Sequence, residues 1–278
     1  MWWACAAAVA VGGCDDSGKR GPGESIFEFI SPPTPVEAVT WATDPYDADK
    51  RFRGLLLLAN APWGGEPPYV EMYRRASEDG DPGVRGMALR ALAMHGVAGD
   101  APTVTKHLSD DNELVRWEAT RALQRMYDPA SAPGLLERID LRKEQNPQVR
   151  AAAARALGQY AQPRVVQGLI GALRDRQLVV NEAAQASLRT LTGQDFGLDP
   201  KAWRDWTASA TDMFAGRKPY EYPYFERDRN IVEWILPFLA PPNETPGPVI
   251  GAPGPSGEPA VSEKPATLPG GATASRGG

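Results

Sequence analysis

The stretch NPQVRAAAARALG, residues 146–158, decides the fold. Asn146 is suited to cap a helix, because its side-chain oxygen can accept from an N–H that has no partner inside the first turn. Pro147 follows in the first turn, where a missing N–H costs nothing. Val149, Ala153, Ala156 and Leu157 then fall on one face at about 100° per residue. The small residues on that face let a neighbouring helix come close. The stretch therefore predicts a helix with one tightly packed side.

The same pattern recurs along the chain. Counted from Val149, the marked positions are Arg150 at plus one, Ala153 at plus four, Ala156 at plus seven and Leu157 at plus eight. From Val115 these offsets give Arg116, Ala119, Ala122 and Leu123, and from Val84 they give Arg85, Ala88, Ala91 and Leu92. From Val180 they give Asn181, Ala184, Ser187 and Leu188, and a weaker copy starts at Lys50 with Arg51, Gly54, Leu57 and Leu58. The anchors are 34, 31, 34 and 31 residues apart. Three residues before each anchor stand Asp47, Asp81, Asn112, Asn146 and Gln177, and the first four are strong N-caps. Shorter helical patterns lie before the copies at residues 35–41, 101–108, 132–139 and 163–173. Two helices in a period of 31 to 34 residues predict an α-solenoid. No strand pattern is evident, and residues 61–69, APWGGEPPY, read as a loop between the first two repeats.

The recurring D-P-x-V-R-x-x-A-x-x-A-L resembles the HEAT repeat, in the bacterial HEAT-like class named after phycobilisome lyases. The resemblance covers residues 35–193 and implies an all-α, armadillo-like superhelix of about five helix pairs. It also implies that the second helix of each pair lines a concave side. The offset-one row of Arg51, Arg85, Arg116 and Arg150 resembles the HEAT arginines that pair with acids between repeats. Folds of this type host two enzyme activities. Deoxyhypusine hydroxylase uses His-Glu pairs to hold iron, and no such pair occurs here, which excludes that activity. No compact motif in this chain marks bilin attachment by phycobilisome lyases, and the resemblance there is at repeat level only; a lyase-type enzyme or enzyme subunit stays open as an alternative.

After the repeats, Gly193 is placed to end a helix, and Asp199-Pro200 restarts one with Trp203 and Trp206 on one face. This predicts a closing helix that covers the last repeat, since solenoid ends need caps. The solenoid with its closing helix is expected over residues 25–212. An extension over 213–240 is expected to pack on it. Within that extension, residues 225–239, FERDRNIVEWILPFL, are too short to span a membrane and contain Pro237. They either dock on the solenoid or serve a partner or a membrane surface. Pro and Gly make up nearly half of residues 241–278, which predicts a disordered tail.

The N-terminus reads as a processing segment with its linker, residues 1–24. Residues 11–14, VGGC, resemble the lipobox of bacterial lipoproteins, which implies that Cys14 is lipidated and holds the protein at the outer side of a membrane. No Lys or Arg precedes Cys14, a departure from that pattern, and a misplaced start codon is the other reading.

Composition narrows the function classes. The net charge is −5 over 278 residues, a poor match to a nucleic-acid partner. Both cysteines, Cys5 and Cys14, precede the repeats, and His95 and His107 are the two histidines. Little material remains for a metal centre or a nucleophile, and no cofactor is expected. His95 falls on a packing face, and acids such as Asp79, Asp110 and Asp111 sit at turns, where Asp is common. The informative surface is offset six of the repeated helix, Leu56, Arg90, Arg121, Arg155 and Ala186. Offset two, which includes Trp117, and Arg189 at offset nine join it. Arginines in line beside a tryptophan have the composition of an interaction hot spot. The expected function is a non-catalytic scaffold that binds a protein or an acidic peptide segment through Arg90, Trp117, Arg121, Arg155 and Arg189. A structural spacer is the remaining alternative.

Overall fold

A computed structural model describes residues 34–222 and 247–252. Among them are eleven α-helices, and ten form five pairs in chain order: α1 (Pro35–Ala42) with α2 (Ala48–Asn60), α3 (Pro67–Ala76) with α4 (Pro82–His95), α5 (Ala101–Lys106) with α6 (Glu113–Ala122), α7 (Ala132–Arg138) with α8 (Pro147–Leu157), and α9 (Pro163–Ala172) with α10 (Leu178–Thr192). The second helices stack in the order α2, α4, α6, α8, α10. Helix α11 (Pro200–Ser209) follows and packs on α9. The chain is thus an all-α, HEAT-like solenoid with a closing helix. None of these helices is long and apolar enough to cross a membrane.

The local signals act as the sequence predicts. Asp47, Asp81, Asn112 and Asn146 each accept a backbone N–H in the first turn of their helix, whereas Gln177 makes no such bond. Gly193 ends α10 in the left-handed region, φ 72°, where a side chain would be strained. Residues 61–69 are not all loop, because α3 begins at Pro67, with proline in the first turn as helices tolerate it.

The repeated apolar positions form the core. Val84, Val115, Val149 and Val180, their alanines at plus four and their leucines at plus eight are all fully buried. Each buried leucine contributes roughly 1.5–3 kcal/mol relative to exposure. The small residues set the helix spacing. At Gly54, an added Cβ would lie 2.1 Å from the backbone nitrogen of Ala42, so α1 and α2 touch backbone to backbone there. Trp203 seals the far end. It is fully buried, meets Phe196 edge-on at 5.0 Å between ring centroids, and its Nε1 donates to Gly197 O at 2.9 Å.

A ladder of ion pairs ties each repeat to the next. Arg51 donates from Nε and Nη2 to both oxygens of Asp79, at 2.8 and 2.9 Å. Arg85 grips Asp110 likewise at 2.9 Å, Arg116 grips Glu144 at 2.6 and 3.1 Å, and Arg150 grips Asp175 at 2.7 and 3.0 Å. The Nη1 of each arginine turns back to carbonyls just before its own helix, such as Glu144 O and Gln145 O for Arg150. Each acid also accepts the N–H two residues further on, at Asp81, Asn112, Asn146 and Gln177. Burial pushes these carboxyls up, but the arginine and backbone hydrogen bonds outweigh it and hold Asp79, Asp110, Glu144 and Asp175 below their ordinary values. In the last repeat Asn181 stands where the arginine would be. It donates to Ala172 O and Asp175 O, keeping the backbone half of the motif where no next second helix follows.

A two-residue antiparallel pair, β1 (Glu221–Tyr222) with β2 (Gly247–Pro248), lies outside the helices. The expectation that no strand occurs holds for the solenoid and not for this pair. The tail expected to be disordered over 241–278 lies mostly outside the described residues. Within the described part, residues 247–252, Val249 is buried and Ile250 exchanges backbone bonds with Arg125 and Tyr127 in the segment after α6. Val249 and Ile250 supply adjacent apolar side chains in a segment otherwise dominated by Pro and Gly.

Candidate functional site

The repeat places Arg90 on α4, Arg121 on α6 and Arg155 on α8 at the same position of successive stacked helices, and all three are half-buried. They differ in what they meet. Arg90 has no hydrogen bond or ion pair among the described residues. The Arg121 guanidinium lies over the ring of Trp117, 4.7 Å from its centroid, and its Nη1 is 3.7 Å from Glu118 Oε2. Trp117 is half-buried rather than openly exposed, and the Arg121 side chain is 14% exposed. A cation over an indole is attractive and holds both groups in one orientation.

Arg189 takes no part in this row. It is exposed, and its Nε lies 3.3 Å from Asp195 Oδ2 in the turn after α10. Offset two also departs from expectation in the middle repeats. Gly86 and Ala151 are buried, and an added Cβ on Gly86 would meet Glu118 and Leu114 of α6. Adjacent second helices stack side by side, so this offset faces the neighbouring helix rather than the open side.

Arg155 is the unusual member. It makes no hydrogen bond or ion pair among the described residues. Burial pulls its guanidinium below the ordinary arginine value, against the favourable influence of Tyr220 and Glu182. Tyr220 lies in the extension over 213–240 expected to pack on the solenoid, though sequence reasoning named no residue of 216–222. Residues 216–222 run past the C-terminal ends of α10 and α8, and residues 247–252 continue along the end of α6. Lys218 N donates to Thr190 O at 2.8 Å, and Arg217 Nη2 to Gln159 O at 2.9 Å. The Tyr222 ring lies 4.5 Å from the Arg125 guanidinium. Ile250 N donates to Arg125 O at 2.7 Å, and Tyr127 N to Ile250 O at 2.8 Å. Carbonyls at helix ends lack partners within the helix, and this strap supplies one through Lys218 to Thr190 in the last turn of α10, while Gln159 and Arg125 lie in the turns after α8 and α6. The alternation in Tyr220-Glu221-Tyr222 was its sequence signal, together with Val249-Ile250.

The histidines serve packing. His95 Nε2 is 2.7 Å from Ala59 O, and its ring stacks with Tyr73. His107 is buried, with Asp110 at 3.7 Å and Glu78 at 4.0 Å. Among the described residues no group of three or more His, Cys, Asp or Glu side chains is placed to hold a metal. Cys14 and residues 225–239 lie outside the described residues.

Comparison with known proteins agrees with the repeats. The family model for HEAT repeats matches residues 71–143 and 139–189. No curated protein sequence matches. Among solved structures, YibA from E. coli is similar at 18% identity, over 63% of this chain and 68% of its own, with a TM-score of 0.47. Human deoxyhypusine hydroxylase in complex with glycerol is 26% identical over 55% of this chain and 60% of its own, with a TM-score of 0.39. The complex of CpcE and CpcF of phycocyanin lyase from Nostoc sp. is 21% identical over 63% of this chain and 81% of the matched one, with a TM-score of 0.39.

Proposed function

We propose that this HEAT-repeat chain is a non-catalytic scaffold. It binds an acidic segment of another protein along the face of its second helices, and a lipid on Cys14 holds it at the outer side of a membrane. The observation that carries the binding half is the contrast within one set of helices. Each arginine at offset one is gripped by its own carboxylate, while Arg90 and Arg155 at offset six have none among the described residues. Aligned guanidinium groups repel one another, and a partner's carboxylates would relieve that repulsion and pair with them in bidentate fashion. The Trp117–Arg121 stack adds a flat surface with both apolar and cationic character, the type found at interface hot spots.

The test is fluorescence anisotropy with a labelled oligoglutamate peptide. Binding should weaken as salt rises, because exposed charges are screened within about 10 Å at 0.1 M. Arg121→Glu should weaken binding at least about tenfold, the equivalent of about 1.4 kcal/mol. Trp117→Ala should weaken it with less salt dependence. Binding that survives both changes would move the site off this face. The anchor is tested separately, by mass spectrometry of the protein from its own host. Lipid on Cys14 supports it, and an unmodified chain starting at Met1 sinks it.

A further inference from the structure

A groove lies between the first helices α7 and α9, and all of its lining comes from these two helices and the turns that follow them. Its volume is about 460 Å³, inside the range of about 300–1,000 Å³ common for ligand sites. The α7 side contributes Leu136, Ile139 and Leu141, and α9 contributes two glycines three residues apart. The glycines are there for different reasons. An added Cβ on Gly168 would lie 2.5 Å from Leu136 Cδ2, so that glycine lets α7 pack on α9. An added Cβ on Gly171 would meet nothing within 4 Å. Its φ is not in the left-handed region, and it lies within α9, where glycine weakens a helix relative to alanine. Neither the backbone nor the packing of the described residues asks for glycine there. Its effect is to keep the groove open, since Gly171 is exposed and lines it. A bare backbone at such a place suits the close approach of another chain. Charge at the rim indicates the kind of chain. Two acids and two arginines line the groove. Asp175 is held by Arg150, and Asp140 by Arg142 at 3.0 and 2.7 Å. Arg174 is exposed, and its side chain has no hydrogen bond or ion pair among the described residues. Both acids are thus satisfied from within, and the unmatched charge of the groove is positive.

We propose that this groove is a second docking site, which takes a peptide segment of a partner protein bearing a large apolar side chain next to a carboxylate. The apolar side chain enters over Gly171 against Leu136 and Ile139, where leaving water is favourable. The carboxylate pairs with Arg174, whose guanidinium can grip both of its oxygens. The site goes beyond the arginine row and shares no residue with it. The row reads charge along several repeats, whereas the groove reads one apolar group and uses charge to set its direction. Each site therefore stands or falls without the other.

The experiment selects peptides from a displayed random library on the full chain and measures their binding by fluorescence anisotropy. Selected peptides should place Leu, Ile, Phe or Trp beside Asp or Glu. Gly171→Leu fills the groove and should weaken their binding at least about tenfold, and Arg174→Gln should weaken it at least about threefold. Arg121→Glu, on the other face, should leave it unchanged. Urea unfolding separates these losses from a folding defect. Gly171→Ala should unfold at the same urea concentration as the unaltered chain or a higher one, and Gly168→Ala at a lower one. If Gly171→Ala unfolds earlier, the glycine serves the fold and the inference fails. If no selected peptide loses affinity with Gly171→Leu, or if Arg121→Glu abolishes the binding, the groove is not the docking site. Dimerisation abolished by Gly171→Leu, or a synthetic peptide of residues 225–239 that binds more tightly than every selected one, would make the occupant this chain itself and overturn the partner.

Discussion

Two rows of arginine run along the same helices five residues apart, and they behave as different materials. At offset one, Arg51, Arg85, Arg116 and Arg150 are each gripped by a carboxylate of the next repeat. At offset six, Arg90 and Arg155 have no hydrogen bond or ion pair among the described residues, and Arg121 stacks on Trp117 with Glu118 at 3.7 Å. Charge and helix are the same in both. The difference is the register of acids: Asp79, Asp110, Glu144 and Asp175 each stand five residues before an anchor, where the loop presents them to the arginine of the preceding repeat. No acid recurs with that regularity for offset six. A periodic cation matched by a periodic anion holds the solenoid together, whereas the cations at offset six have no anion that recurs with the repeat.

The largest test of this contrast is acid. The four ladder carboxyls are held below their ordinary values in the folded chain. A carboxyl with a depressed folded pKa contributes stability that is fully present above its unfolded pKa, about 3.9 for Asp and 4.3 for Glu. That stability is lost as pH falls through the folded value. The urea midpoint should therefore stay level from pH 7 to about 5 and fall steeply below about 4. A midpoint that declines evenly from neutrality would show that the ladder is not the main acid-sensitive element.

Single substitutions set the rows side by side. Arg150 and Asp175 are 2% and 3% exposed, so Arg150→Met leaves a buried carboxylate unpaired. The expected cost is about 3–5 kcal/mol by denaturant unfolding. Arg155→Met keeps the apolar stem and removes a half-buried charge that has no ion pair among the described residues. It should be neutral or stabilising, within about 1 kcal/mol. Equal losses at the two sites would erase the distinction between the rows. The ladder is also graded. Arg51 and Asp79 are 19% and 15% exposed, so the matching change there should cost less than at Arg150.

How much of this was legible beforehand follows from distance along the chain. Caps, apolar anchors and small seam residues act within a helix or against its neighbour, and each recurs, so the five copies of Val149-type helix could be read directly. The closing helix was legible because Gly193, Asp199 and Pro200 punctuate it locally. Of the ladder acids, Asp79 and Asp110 were in plain view but read as turn residues, and Glu144 and Asp175 were not singled out. Each of them does build a turn, and its second role appears only when its spacing to the following anchor is compared across repeats. That an extension over 213–240 packs on the solenoid was expected, but its seat was not legible: Lys218 bonds Thr190 and Arg217 bonds Gln159, and each contact occurs once with no period to mark it. The row at offset six was found by register alone, and register did not reveal that Arg189 is held by Asp195 or that Gly86 and Ala151 face a neighbouring helix.

A substitution in the seam links packing to the ladder. Ala153 is fully buried on α8, the helix that carries Arg150. Ala153→Leu should overpack that seam and cost about 1–3 kcal/mol. If the ladder depends on this spacing, the variant should also lose stability at higher pH than the unaltered chain, because a loosened rung depresses its carboxyl less. A silent Ala153→Leu would mean that the face assigned to the seam is wrong.

The smallest effect on stability should come from Arg90, and it separates the rows most cleanly. Arg90→Gln removes a charge that has no hydrogen bond or ion pair among the described residues, on a helix whose apolar positions are untouched. Glutamine keeps helix propensity and a polar tip, so unfolding should change by no more than about 0.5 kcal/mol. The neighbouring Arg85, five residues earlier on α4, should behave oppositely, since its loss leaves Asp110 without its bidentate partner. Binding should show the reverse order. Arg90→Gln should weaken oligoglutamate binding and flatten its salt dependence, because one of the cations that draws the peptide in has gone. If Arg90→Gln destabilises the fold as Arg85→Gln does, Arg90 belongs to the structural set and the offset-six row shrinks. If it changes neither stability nor peptide binding, the row begins at Arg121, and the acidic segment lies across α6 and α8 alone.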